Sequence, residues 1–321
     1  MKILLFLLIF ISNYCFGNPT EFTSETNYFS YDNYERLYSI YVPEKCFKIK
    51  KNALVIALHG GGGSIKKWPV YTNNGFEHLA QNSPFILVYP EALEGNWNDE
   101  RNIERYFSQK NKINDLGFLS SLIDYLIDNY PVDRNKVFVL GVSNGGLMAH
   151  YLALKHSDKI AAIAAVIASI PVNLKTILRP VNPISVLMIN GTDDPLVLWN
   201  GGTIKLGKKA CGDIISVDDT LKFWIKNNHC NTTPEIIEFP DLDPKDNTRV
   251  KKSIYSKGDF DTEVVLYTII GGGHTWPAYK DTRKPLLKLV VDEFAGIKSK
   301  DIDACEIIWD FFRTHPKRIS N

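Results

Sequence analysis

Apolar residues along this chain gather in short, largely unbroken runs. Tyr38–Val42, Ala53–Leu58, Phe85–Tyr89, Lys136–Leu140, Ile184–Ile189 and Glu263–Ile269 read as strands. A strand that is apolar at successive positions has no face left for water, so several of these belong inside a sheet covered on both sides. Between them lie segments of helical period. In Leu116–Tyr130 the residues Leu119, Leu122, Ile123, Leu126 and Ile127 form one apolar stripe, and Asn144–His156, Val217–Lys226 and Ala304–Phe312 behave similarly. Strands alternating with helices predict an α/β fold: a mainly parallel central sheet with helices on both faces. In such sheets ligands bind at the carboxyl ends of the strands. The first residues break this pattern. Lys2 precedes the apolar run Ile3–Ile11, too short to span a bilayer, and residues 1–17 are expected to be a secretory signal cleaved after Gly17. No repeat or proline-rich linker divides residues 18–321, which are expected to form one domain.

Three strand ends carry candidate chemistry. Val137–Val142 runs into Gly141-Val142-Ser143-Asn144-Gly145-Gly146, a serine between glycines with a helical segment behind it. This is the pattern of a nucleophile elbow, where glycines let strand and helix pass closely while the serine hydroxyl stands above the sheet edge. The next amide, that of Asn144, points at the same space from a helix N-terminus and supplies one oxyanion donor. Leu58-His59-Gly60-Gly61-Gly62-Gly63-Ser64 follows the strand Ala53–Leu58. An N–H from such a loop can complete an oxyanion hole, and neither the Gly-Lys-Ser/Thr of a phosphate-binding loop nor a dinucleotide fingerprint is present. Asn190-Gly191-Thr192-Asp193-Asp194-Pro195 ends the strand Ile184–Ile189, and either aspartate could hold an imidazole in its correct tautomer. Ile270-Gly271-Gly272-Gly273-His274-Thr275-Trp276 follows the last strand and offers the base. The order serine, aspartate, histidine is that of the α/β hydrolases. His59 is expected to shape its own loop. His78, His150, His156, His229 and His315 fall on or near helices and are expected to be structural or surface groups.

Charge and cysteine content narrow the picture further. Lys and Arg number 37 against 36 Asp and Glu, and loss of Lys2 with the signal leaves 36 of each, so no nucleic-acid or membrane-surface field is implied. Apolar residues make up 45% of the chain, enough for a substantial core. Cys46, Cys211, Cys230 and Cys305 would survive processing; in an oxidising compartment they suggest two disulfides, with buried free thiols as the alternative, and their spacing matches no zinc site.

Taken together the motifs resemble the esterase family of α/β hydrolases that includes polyhydroxybutyrate depolymerase-like lipoproteins and the feruloyl and acetylxylan esterases. The resemblance runs through Tyr41-Val42-Pro43, Leu58-His59-Gly60-Gly61, Val88-Tyr89-Pro90, Trp97-Asn98 and Asp115-Leu116-Gly117-Phe118-Leu119. It continues through Tyr130-Pro131-Val132-Asp133, Gly141–Gly146, Gly191–Pro195 and Gly273-His274-Thr275-Trp276-Pro277. It implies the α/β-hydrolase fold, with Ser143 as nucleophile, Asp194 as acid, His274 as base and the Gly61 and Asn144 amides as the oxyanion hole. It also implies that Trp276 walls the substrate pocket, with Trp97 and Tyr89 as further pocket candidates, and that neither metal nor organic cofactor is needed. Where family members often read Trp-Pro-Gly, this chain has Trp276-Pro277-Ala278, which bears on the shape of the adjoining loop. The expected activity is that of a secreted or periplasmic serine carboxylesterase on short hydroxyalkanoate oligomers or similar small esters. The alternatives are a feruloyl or acetylxylan esterase on plant polysaccharide, a serine peptidase, or a non-catalytic binding protein on the same scaffold. Glu91–Asn114, Asp241–Asp261 and Ala278–Ser299 are expected to be long loops that set specificity. The chain closes soon after the helix Ala304–Phe312, which favours soluble or oligomeric esters over insoluble polymer.

Overall fold

The computed structural model describes residue 22 and residues 24–177 and 179–318. The expected signal, residues 1–17, lies outside them. Twelve strands are described: β1 (Glu25–Tyr31), β2 (Tyr34–Tyr41), β3 (Asn52–Leu58), β4 (Phe85–Pro90), β5 (Val132–Val142), β6 (Ala162–Val166), β7 (Ser185–Gly191), β8 (Gly202–Leu206), β9 (Lys209–Ile214), β10 (Glu235–Glu238), β11 (Arg249–Tyr255) and β12 (Val264–Ile270). The longer helices are α1 (Gly75–Asn82), α2 (Asp115–Asn129), α3 (Asn144–His156), α4 (Val217–Asn228), α5 (Pro285–Ala295) and α6 (Ala304–Thr314).

Ten strands form one sheet in the order β1-β2-β4-β3-β5-β6-β7-β12-β11-β10, while β8 and β9 make a separate hairpin. The six strands from β4 to β12 in that order are mutually parallel, and an antiparallel pair extends each side. The apolar runs explain this arrangement. Every residue of β3, β4, β6 and β7 is buried, and alternate residues serve two cores. Leu54, Ile56 and Leu58 pack with Leu122 and Leu126 of α2 and Met148 and Leu152 of α3. Ala53, Val55 and Ala57 face the other way, with Phe76 of α1 and Ile308 and Phe312 of α6. Side chains alternate along a strand, so each run supplies both faces at once.

Several elements are absent from the sequence reading. Ala162–Val166 is a parallel strand built largely of alanine, held because both neighbours bury it. All three expected loops are partly ordered, Glu91–Asn114 by a short helix at Phe107–Lys110. Arg249–Tyr255 is a strand inside Asp241–Asp261, and Pro285–Ala295 is a helix inside Ala278–Ser299, with its proline in the first turn. The two expected disulfides give way to four separate buried thiols. Cys305 of α6 packs on Gly75 at the start of α1, Cys230 lies against Gly258 and Thr262, Cys211 accepts from Arg105, and Cys46 sits in the turn Glu44–Lys48. Burial pushes the Cys46 and Cys230 thiols up to about 11, so they stay protonated and behave as small apolar side chains.

Burial also fixes the charge of one core histidine. His150 of α3 is fully buried and stacks on Trp224 of α4, whose indole N–H donates to Nδ1 at 3.2 Å. Protonating Nδ1 would break that bond and place a cation in the core, so burial lowers its pKa from 6.5 to about 3. A pKa depressed in the folded state leaves the stabilisation intact above the unfolded value and removes it as pH falls toward the folded one. Between pH 6.5 and 5 this group should withdraw about 2 kcal/mol of stability. Thermal unfolding followed across that range should show a fall in Tm that is shallower in His150→Gln, which cannot charge; parallel curves would reject the assignment.

Candidate active site

β5 ends at Val142, and α3 begins at once behind Ser143, which holds φ 53° and ψ −121°. That backbone is strained for a residue with a side chain and persists because its surroundings leave no alternative. A Cβ on Gly141 would lie 2.1 Å from the Gly145 carbonyl oxygen, and one on Gly145 would lie 2.3 Å from that of Leu58. Only glycine permits strand and helix to cross this closely. The Ser143 amide donates to Val166 of β6 at 2.9 Å, fixing the turn to the neighbouring strand.

Two further strand ends meet this turn. Past β7, Asp194 is buried and Asp193 exposed. Asp194 Oδ1 accepts from the Leu196 and Val197 amides, both at 2.8 Å, leaving Oδ2 aimed at His274. Asp193 Oδ1 instead accepts from the Thr192 hydroxyl. Past β12, His274 Nδ1 lies 2.7 Å from Asp194 Oδ2 and its Nε2 lies 3.0 Å from Ser143 Oγ. A carboxylate can only accept, so Nδ1 carries the proton and Nε2 is free to receive the serine O–H. The His274 amide donates to Ala295 and the Gly273 amide to Ile297, so the end of α5 positions the imidazole. No sequence motif pointed to that helix.

Gly61 stands beside Asn144: a Cβ on Gly61 would be 3.8 Å from the Asn144 Cβ. Neither backbone amide donates to an acceptor among the described residues, and both residues line the cavity that holds Ser143 and His274. The Asn144 side chain faces elsewhere. Its Oδ1 accepts from the Trp97 amide at 2.8 Å, and its Nδ2 donates to Trp97 O at 3.1 Å and to Asp99 Oδ2 at 2.7 Å. Asp99, fully buried, also receives Arg101 Nε and Gln109 Nε2, each at 3.0 Å. The segment 97–99 is therefore a brace behind the site. Asp99 follows Trp97-Asn98 directly, but its partners are distant in sequence and no local pattern marks them.

His59 completes the support. Its Nδ1 donates to Gly60 O at 2.8 Å and its Nε2 accepts from the Ala92 amide at 3.0 Å. Burial lowers its pKa to about 4, which keeps the ring neutral beneath the glycine loop.

Of the three expected pocket aromatics, the structure brings one to the cavity. Trp276 lines it, held edge-on by Trp68, Tyr71 and Phe76. Trp97 and Tyr89 do not. Trp97 is wholly buried beneath the loop, its indole N–H donating to His59 O at 2.9 Å. Tyr89 shares its strand face with Phe85 and Leu87, and its hydroxyl donates to Glu77 at 2.7 Å within the core. Tyr71, which no motif singled out, lines the cavity instead.

The cavity encloses about 910 Å³. Its walls include Arg101, Arg105 and Tyr106, the β8–β9 hairpin, Val70, Tyr71, Trp276 and residues of α5. A serine hydroxyl bonded to an imidazole nitrogen, with two unused amides beside it, can attack an acyl carbon and stabilise the oxyanion that forms.

Comparison with known proteins places the chain among esterases. The Nocardia uniformis subsp. tsuyamanensis protein NocK, an esterase by name, is 29% identical over 230 residues, covering 70% of this chain and 65% of its own. Feruloyl esterase B of Neurospora crassa is 31% identical over 144 residues, 44% of this chain and 46% of its own. The chain thus spans just under two thirds of the first relative and about half of the second. Among solved structures, an acetyl xylan esterase from Aspergillus awamori matches with a TM-score of 0.53 at 17% identity, over 79% of this chain and 94% of that one, and shares the α/β-hydrolase fold. The model of the phospholipase/carboxylesterase family matches residues 45–213, more than half of the chain, and to that family of α/β hydrolases the chain belongs.

Proposed function

We propose that this protein is an exported serine carboxylesterase working through an acyl-enzyme. The observation that carries the reading is the continuous hydrogen-bonded line from Asp194 through His274 to Ser143, at 2.7 and 3.0 Å. His274 Nε2 takes the serine proton as Oγ attacks the ester carbonyl, and Asp194 stabilises the imidazolium. The Gly61 and Asn144 amides receive the developing oxyanion. His274 then protonates the leaving alkoxide, and water, activated by the same imidazole, releases the acid.

Residues 1–17 would be removed on export, leaving 18–321 as one catalytic unit. A cavity of about 910 Å³ suits a small or oligomeric ester. Short hydroxyalkanoate oligomers are the first substrate class. Feruloyl or acetyl esters of plant polysaccharide are the second, favoured by relatives named feruloyl esterase B and acetylxylan esterase A.

The test is nitrophenol release from acetyl, butyryl and octanoyl esters by the mature protein, alongside a fluorophosphonate probe. Hydrolysis with a single label on Ser143 is the expected result. An active protein labelled at another residue, or no hydrolysis and no label, would overturn the proposal. Release of ferulate from feruloylated sugars against 3-hydroxybutyrate from its oligomers then separates the two substrate classes.

A further inference from the structure

The cavity has a one-sided charge. Among the described residues seven cationic side chains line it and no aspartate or glutamate does, in a chain whose net charge is only +1. Two of the seven are structural. Arg101 is paired with Asp99 at 2.8 Å, and Arg283 with Asp281 and Asp292 at 2.6 and 3.0 Å. The other five, Lys67, Arg105, Lys208, Lys209 and Lys298, form no ion pair among the described residues. Lys67 and Lys298 spend their ammonium groups on backbone carbonyls, of Gly62 and Lys280.

Arg105, Lys208 and Lys209 are arranged differently. The guanidinium of Arg105 lies over the Tyr106 ring, 4.9 Å from its centroid, and donates to the Tyr106 hydroxyl and to Cys211 Sγ of β9. These contacts fix the group without neutralising it. Lys208 and Lys209, three and two positions before Cys211, come from the turn and the first residue of β9 and bring further positive charge to the same cavity. A planar guanidinium held by an aromatic face, with two lysines in the same cavity and no carboxylate among its described lining residues, suits a bidentate carboxylate. Cavity walls of low polarizability focus such a field and raise the local concentration of an anion.

We propose that the ester received by this cavity carries a free carboxylate, bound by Arg105 together with Lys208 and Lys209. The inference rests on the esterase reading above and specifies its substrate class: an anionic ester in preference to a neutral one of the same length.

Two matched pairs test it, placing the carboxylate on the acyl and the alcohol side in turn: nitrophenyl hemiglutarate against nitrophenyl pentanoate, and O-acetyl-3-hydroxybutyrate against its amide. The wild-type protein should favour the charged member of at least one pair by about tenfold in kcat/KM, chiefly through KM, with the preference shrinking as salt rises. Arg105→Gln should cut that ratio by about tenfold, and Lys209→Gln should lower it by a smaller factor. Preference for the neutral member of both pairs would overturn the proposal. So would a ratio that survives both substitutions. An enzyme that hydrolyses the neutral esters without discrimination refutes this inference alone, whereas one that hydrolyses none of the four refutes the esterase reading itself.

Discussion

Replacing Ser143 with alanine is expected to lower kcat on nitrophenyl esters by a factor on the order of 10⁶, with the folded protein otherwise unchanged. The size of the effect follows from the route. Without Oγ no acyl-enzyme forms, and His274 has no hydroxyl to deprotonate, so the three groups fail as a unit. What survives is the positioning of substrate and the pull of the Gly61 and Asn144 amides, which alone sustain on the order of 10³ to 10⁴ over water. Stability should hold because Oγ makes one side-chain bond, to His274 Nε2 at 3.0 Å. Alanine tolerates the positive φ of 53° about as well as serine does. Steady-state assay of the purified variant, with its thermal unfolding measured in parallel, provides the check. Residual activity above about one per cent of wild type, in a properly folded variant, would mean that another group carries the reaction.

The second large effect separates two adjacent carboxylates. Asp194→Asn should cost on the order of 10⁴ in kcat, while Asp193→Asn should stay within a few-fold of wild type. Asp194 is buried and both its oxygens are engaged, one by the Leu196 and Val197 amides and the other by His274 Nδ1. An asparagine held by those amides would turn its NH₂ toward His274 and favour the tautomer with the proton on Nε2. That ring cannot accept from serine. Asp193 has no such reach: it is exposed, and its carboxylate meets the Thr192 hydroxyl. Equal losses in the two variants, or a larger one in Asp193→Asn, would assign the acid to the wrong neighbour.

These two residues also show where sequence stops being informative. Ser143, the pair Asp193-Asp194 and His274 are legible because each follows an apolar run that can only be an interior strand, and each sits among glycines or beside a proline at its end. Local sequence cannot choose between Asp193 and Asp194; the choice is made by the Leu196 and Val197 amides and by the direction of the turn. Tyr89 and Trp97 illustrate the opposite error. They lie close in sequence to loops that border the cavity, but closeness does not tell which face of a strand or which side of a loop a ring takes, and both rings pack inward. The brace of Asp99, Arg101, Gln109 and Asn144 was invisible because its members span elements far apart in the chain. The strand Ala162–Val166 escaped because alanine has little strand preference of its own, and neighbours on both sides impose it. The β8–β9 hairpin, which walls part of the cavity, lies in a stretch with no strong apolar period, whereas Leu287, Val290, Val291 and Phe294 give α5 a helical one that an assignment as loop leaves out.

The strand order has a consequence for how activity arises during synthesis. Ser143, Asp194 and His274 hang from β5, β7 and β12, and serine and histidine are separated by 131 positions. Contacts of such long range form late, since the intervening chain must first be ordered. β12 must also lie down beside β7, in register from Val264↔Val186 to Ile269↔Gly191, before the imidazole can reach the elbow. A nascent chain emerging from the ribosome could thus fold the strands around the elbow and still be inert. Turnover would begin only when the last parallel strand docks, which makes catalysis a reporter of completed folding.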